Sequence, residues 1–144
     1  MATGSCLCGT VRWRMQAPFG AMTHCHCSMC RKAHAAPFAT FFGVRAGAFG
    51  WTAGERAIVT YRSSPVFERA FCGECGSAVP GRDSDGTIHV PAGCLDDDPG
   101  IRPVAHIFTA SKAPWHRIVD ELPQHAACAF GPLLIRSVEA RCFD

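Results

Sequence analysis

Val11, Trp13 and Met15 alternate with Arg12 and Arg14, the period-two pattern of a strand with one face buried and the other in water. Phe38 to Phe42 is a compact, β-prone run that Gly43 is expected to break. Ile58–Arg62 and Val66–Phe71 flank Ser63-Ser64-Pro65, which reads as a hairpin turn. Thr87–Val90 follows the turn-rich stretch Gly81–Gly86, and Ala105–Thr109 makes a further strand. Helical patterning is weaker. Ser28–Ala36 allows one or two turns before Pro37 stops them. Trp115–Leu122 reads as a short helix entered through Pro114 and ended before Pro123. Beyond Gln124 the pattern is ambiguous, and Leu133-Leu134-Ile135 with Val138 fits a last strand or a helix. The elements predict a mainly β fold, chiefly antiparallel sheets with short helices, in a single domain over residues 1–144.

Composition sharpens this. Of 144 residues, 48% are hydrophobic and 18% charged, which excludes a disordered chain and a coiled coil. Fourteen glycines and ten prolines favour turns and short strands. The net charge is +2 with a pI near 8.1, and the basic residues are scattered apart from the Arg31–Lys32 pair. A nucleic-acid partner, which asks for a basic stripe, is therefore not expected. Met1 to Cys6 has neither the charged nor the apolar region of a secretory signal. No apolar run approaches the roughly 18 residues that span a bilayer, so no membrane association is expected. The expected compartment is the cytoplasm, where clustered cysteines bind metal more often than they form disulfides.

The ten cysteines need a physical reason. Seven lie in short clusters: Cys6-Leu-Cys8-Gly9, Cys25-His-Cys27-Ser-Met-Cys30 and Cys72-Gly-Glu-Cys75-Gly76. Zinc accepts tetrahedral thiolate coordination, and C-x-C or C-x-x-C segments present two thiolates to one ion. Gly9 and Gly76 sit where a turn must fold the backbone amides back toward the sulfurs. Cys6, Cys8, Cys72 and Cys75 make up one closed four-sulfur site of structural type. Cys25, Cys27 and Cys30 supply three thiolates with no obvious fourth ligand, the arrangement of a metal site with an open position. Their charge outweighs that of the ion, so the site suits binding of a thiol better than generation of hydroxide. Spacing alone also allows Cys6/Cys8 to share an ion with Cys25/Cys27.

These motifs resemble those of the glutathione-dependent formaldehyde-activating enzyme family. The resemblance is carried by Cys6-x-Cys8-Gly, His24-Cys25-x-Cys27-x-x-Cys30-Arg31-Lys32 and Phe71-Cys72-x-x-Cys75-Gly76-Ser77. Ala92-Gly93-x-Leu95-Asp96, Pro103-x-x-His106-Ile107 and Trp115 extend it, so that it spans about residues 4–123. It implies a zinc-stapled β-tent fold related to that of centromere protein V, with a structural zinc on Cys6, Cys8, Cys72 and Cys75. It further implies a catalytic zinc on Cys25, Cys27 and Cys30, and carbon–sulfur bond chemistry. The implied reaction condenses glutathione with formaldehyde to S-hydroxymethylglutathione, with a small thiol as the partner. Where the family runs through small residues after Arg31-Lys32, this chain has Ala33-His34-Ala35-Ala36. His34 is thus placed to fill the pocket or to supply the fourth ligand.

Arg31 and Lys32 are candidates for receiving the carboxylates of an acidic thiol. His24 and His26 bracket the thiolates as candidate proton shuttles or substitute ligands, against a plainer supporting role. Asp96–Asp98 reads as turn and cap chemistry. His106 and Trp115 read as core or pocket wall. Cys94, Cys128 and Cys142 have no close cysteine neighbours and read as buried or free thiols. A second function class is a non-catalytic zinc module that binds a partner protein, favoured if a histidine closes the second site. A third, methionine sulfoxide reduction, needs one of those three lone cysteines exposed with a low pKa.

Overall fold

The computed structural model describes residues 1–128. Within them ten strands form two sheets, accompanied by one short α-helix and four 3-10 turns. β1 (Ala2–Ser5), β2 (Arg12–Met15) and β5 (Phe49–Ala53) make a small antiparallel sheet in the order β1-β2-β5. β3 (Met22–Cys25), β4 (Ala39–Val44), β6 (Ile58–Ser64), β7 (Phe67–Cys72), β8 (Ala78–Asp83), β9 (Ile88–Pro91) and β10 (Pro103–Ile107) make the larger one. Its order is β10-β3-β4-β9-β8-β7-β6. Every neighbouring pair is antiparallel except β10 on β3, which is parallel and pairs His106 with His24 and Ile107 with Cys25. The long connection after β9 allows this, since a parallel partner cannot be reached through a tight turn. α1 (Ser28–His34) sits between β3 and β4. Among the described residues no helix is long and apolar enough to cross a membrane.

The alternation in β2 sets how the sheets meet. Trp13 and Met15 are buried while Arg12 and Arg14 face water. Met15 enters a core of Met22, Phe42, Val44, Ile88 and Val90 from the larger sheet. Trp13 packs with Val11, Ala70 and Val79, and its ring meets Trp51 edge-on at 6.0 Å. Each such side chain contributes roughly 1.5–3 kcal/mol through removal from water. The second of these clusters also holds the sulfurs of Cys6 and Cys72.

Several expectations are corrected. β4 runs through Gly43, which pairs with His89 in the ladder and accepts a hydrogen bond from Gly20 N at 2.8 Å. With a ladder partner on one side and a loop amide on the other, the glycine has no reason to end the strand. The stretch read only as turns after Gly81 contributes Gly81–Asp83 to β8. β1 (Ala-Thr-Gly-Ser), β3 (Met-Thr-His-Cys) and β5 (Phe-Gly-Trp-Thr-Ala) are further strands, and their sequences lack a clean apolar–polar alternation that would announce them. No helix forms over 115–122. There Lys112 Nζ donates to His116 O, and Leu122 N donates to Asp120 Oδ1. Side chains thereby satisfy backbone groups that a helix would otherwise pair. The last element expected around Leu133–Val138 lies outside the described residues.

Candidate metal and thiol site

The turn between β1 and β2 brings Cys6 and Cys8 together. Gly9 N donates to Cys6 O at 2.9 Å, and Val11 N points at Cys6 Sγ at 3.2 Å. The turn between β7 and β8 repeats this arrangement, Gly76 N donating to Cys72 O at 2.8 Å. Gly9 and Gly76 have φ of 75° and 73°, the left-handed region that glycine reaches at no steric cost. The four sulfurs of Cys6, Cys8, Cys72 and Cys75 all lie within 4.8 Å of one another, which decides the pairing that spacing left open. Cys6 and Cys8 Sγ are 3.5 Å apart, and Cys8 and Cys72 Sγ 3.9 Å. Tetrahedral zinc with sulfurs at about 2.3 Å would separate them by about 3.8 Å, so the set fits that ion. The Thr10 hydroxyl and amide pull the Cys8 thiol down to about 6, while burial pushes Cys72 up to about 11.

Cys25, Cys27 and Cys30 form a second group, their sulfurs also within 4.8 Å of one another. Cys25 ends β3. Cys27 caps α1, its Sγ accepting from Cys30 N at 3.3 Å, and Cys30 is buried in the first turn. Hydrogen bonds from the Cys25 and Cys30 thiols and from the amides of Cys30 and Met29 hold Cys27 down at about 2. Cys25, which donates to that thiolate and is buried, is pushed strongly up. Three cysteines sharing protons in this way are ready to exchange them for one cation. Among the described residues no histidine or carboxylate joins the group, so neither His34 nor the pair at 24 and 26 closes it.

The bracketing histidines instead build a row behind the thiolates. His26 is fully buried and its Nε2 lies 2.8 Å from His106 Nδ1. His106 Nε2 lies 3.0 and 3.1 Å from the two carboxylate oxygens of Asp120. A carboxylate only accepts, so His106 carries a hydrogen on Nε2, and in the neutral ring its Nδ1 accepts from His26. The Nδ1 of His26 is then a buried acceptor, unpaired among the described residues. Burial, followed by the neighbouring His106, His116 and His24, depresses His26 to about 4, so the ring is neutral. Phe38 packs among these rings, 4.5 Å from His24 and 5.1 Å from His26. His24 itself is hydrogen-bonded to Thr40 Oγ1 at 2.7 Å. Asp120, hidden within the expected helix, carried no sequence signal.

The other expected residues separate. Arg31 donates from Nε to His26 O at 3.4 Å, bracing the segment between two thiolates, and Lys32 is exposed. His34 is half-buried at the end of α1, its pKa lowered by burial and then by the Arg69 charge. Asp97 accepts from the Thr3 amide and hydroxyl, Asp96 from Ser5, and Asp98 from Gly100 and Arg102, so this run ties β1 to the loop before β10. Trp115 is 71% exposed and lines no core, a consequence of the missing helix. Cys94 is half-buried against the four-sulfur cluster, donates to Ala78 O at 3.3 Å, and has its pKa raised by burial. That is the opposite of the exposed low-pKa thiol a sulfoxide reductase needs. Cys128 is half-buried, and Cys142 lies outside the described residues.

A residue pair that the sequence reading passed over lies on β8 and β9. His89 Nε2 and Asp83 Oδ2 are 2.8 Å apart, with His89 edge-on to Phe41 and Phe67. Burial tends to raise Asp83, but hydrogen bonds from His89, Asp85 and the Thr87 amide outweigh it and hold it at about 2. A carboxyl held low contributes stability above its ordinary pKa, and loses it only as pH falls from about 4 toward 2. Its contribution is therefore whole at pH 7. Asp83→Asn is expected to cost about 1 kcal/mol there, a drop of about 3–5 °C in a thermal melt; an unchanged melt would show the pair to be inert.

Comparison with known proteins fits this geometry. A crystal structure of a Rhodobacter sphaeroides protein superposes with a TM-score of 0.58 at 21% identity, covering 68% of this chain and 92% of that one. At that identity the likeness speaks for the fold. Residues 1–111, which contain both thiolate clusters, match the family described as glutathione-dependent formaldehyde-activating enzyme. With most of its length matched, and with seven cysteines gathered into a four-sulfur and a three-sulfur set, the chain belongs to the glutathione-dependent formaldehyde-activating enzyme family.

Proposed function

We propose that the protein is a zinc-dependent carbon–sulfur lyase or transferase that joins a small thiol of the glutathione kind to a small aldehyde such as formaldehyde. The observation that carries this reading is the inequality of the clusters: four sulfurs in one, and three in the other with no fourth side chain among the described residues. A closed set suits a structural ion, and an incomplete one leaves a position for substrate. Zinc held by Cys25, Cys27 and Cys30 would supply Lewis acidity that favours a thiol in its thiolate form.

In the reaction the thiol S–H bond breaks, a C–S bond forms at the carbonyl carbon, and the proton ends on the carbonyl oxygen. No electron acceptor is needed. The chain's part is to hold the two small molecules together and to exclude competing water. Lys32, exposed beside the cluster on α1, would meet the carboxylates of an acidic thiol. His34, kept neutral on the helix that carries Cys30, offers an imidazole able to take up a proton and return it.

A thiol also adds to formaldehyde without a catalyst, so the test is the rate of exchange at equilibrium. Carbon-13 exchange spectroscopy on labelled formaldehyde should show adduct exchange accelerated by zinc-loaded protein in proportion to its concentration. Exchange equal to that without protein, with two metals bound per chain, would overturn the reading and leave the non-catalytic partner-binding module in its place.

A further inference from the structure

β7 passes both clusters. It ends at Cys72 in the four-sulfur set, and three residues earlier it carries Arg69 toward the other. Arg69 Nη2 donates to Cys30 Sγ at 3.7 Å. Its Nε donates to Ser63 Oγ at 3.1 Å, and its guanidinium carbon stands 5.2 Å from the centre of the Phe67 ring. Three contacts thus hold a half-buried, always-charged group against the Cys30 sulfur.

The ladder is irregular beside it. Glu68 pairs with Arg82 and Ala70 with Val79, so two steps along β7 match three along β8. The extra residue is on β8, where Pro80 and Gly81 together oppose Arg69, so β8 bulges opposite the guanidinium's own backbone. Gly81 permits it: a Cβ there would stand 2.6 Å from Glu68 O and 3.4 Å from Arg69 Cα. The absence of one methyl group on β8 lets the two backbones approach closely beside Arg69.

Three thiolates leave a divalent ion with one negative charge in excess, at a buried place where an unbalanced charge is costly. Arg31 spends its Nε on a carbonyl and Lys32 is in solvent. Among the described residues, Arg69 is the cation whose hydrogen bond reaches these sulfurs. We propose that Arg69 is a positioning residue of the three-sulfur site, balancing its charge and orienting Cys30, and so sets its affinity for a divalent metal. This rests on the reading of that cluster as a metal centre, given above.

The test is metal affinity measured site by site. Zinc is titrated against a chromophoric chelator, and cobalt(II) is followed by its thiolate charge-transfer and d–d bands. Removing a group that supports a metal ligand typically weakens binding about 10–100-fold. Arg69→Met should weaken the second metal by about that factor while leaving the first unchanged. Arg69→Lys keeps the charge and loses the fork, and should fall between wild type and Arg69→Met. Ser63→Ala, which frees Nε without altering charge, should weaken the second site in the same direction by less. Wild-type affinity for both metals in Arg69→Met overturns the proposal, as does equal weakening of both, which would mark general loss of structure. If wild type binds a single metal, the reading of the cluster as a metal centre fails and this proposal with it.

Discussion

Cys72→Ser is expected to leave the protein unfolded at 37 °C. Cys72 is fully buried between Trp13, Val11 and Val79, and its sulfur is one corner of the four-sulfur set. That set joins the β1–β2 turn to the β7–β8 turn, which are otherwise held together by a small core. Zinc bound by four thiolates adds an apparent 10–16 kcal/mol to folding. A domain of this size has a net stability of only about 5–15 kcal/mol, so weakening the ion's grip removes most of the margin. The serine hydroxyl also replaces a sulfur in an apolar cluster and adds about 1–3 kcal/mol if unpaired. Circular dichroism melting with metal analysis reads the result. The wild type treated with a strong zinc chelator should melt like the variant. A Cys72→Ser protein with the wild-type melting temperature and full metal content would refute the staple.

Cys27→Ser separates chemistry from folding. The variant should fold, bind one metal per chain instead of two, and lose thiol–aldehyde exchange by at least about 100-fold. Folding survives because Cys27 acts locally as the cap of α1, and serine is a favoured residue in that position. The cap hydrogen bond to Cys30 N is kept, so, compared with wild type lacking the second metal, the stability change stays at about 1 kcal/mol. What serine cannot replace is a soft, ionised ligand: the Cys27 thiol is held at about 2 and a serine hydroxyl is not ionised at neutral pH. Undiminished exchange in Cys27→Ser would remove the three-sulfur cluster from the reaction. Together the two variants assign one cluster to the fold and the other to activity.

How much of this could be read from the residues alone follows from the range of each interaction. The β2 alternation, the two glycine-closed knuckles and the start of α1 are local, so their residues announce them. Which knuckles come together is a long-range matter: spacing favoured joining Cys6/Cys8 to Cys72/Cys75 but also allowed Cys25/Cys27, and the fold places Cys72 3.9 Å from Cys8. Arg69 lies 39 positions from Cys30 and reaches it beside a bulge, an irregularity without a sequence signature when Gly81 reads simply as a turn residue. The error at residues 115–122 has the same source. Pro114 and Pro123 frame a plausible helix, but Asp120 is taken by His106, 14 positions back on β10. Local propensity lost there to a tertiary hydrogen bond.

That hydrogen bond gives the row of imidazoles a direction. Asp120 is 48% exposed at one end, and His26 is sealed at the other. Because the carboxylate can only accept, each N–H in a row of neutral rings points outward toward it, and the far end at His26 Nδ1 then presents a bare lone pair. A surface carboxylate therefore fixes the polarity of a buried atom two rings away, and an amide at position 120, able to donate as well as accept, would allow the whole row to turn around.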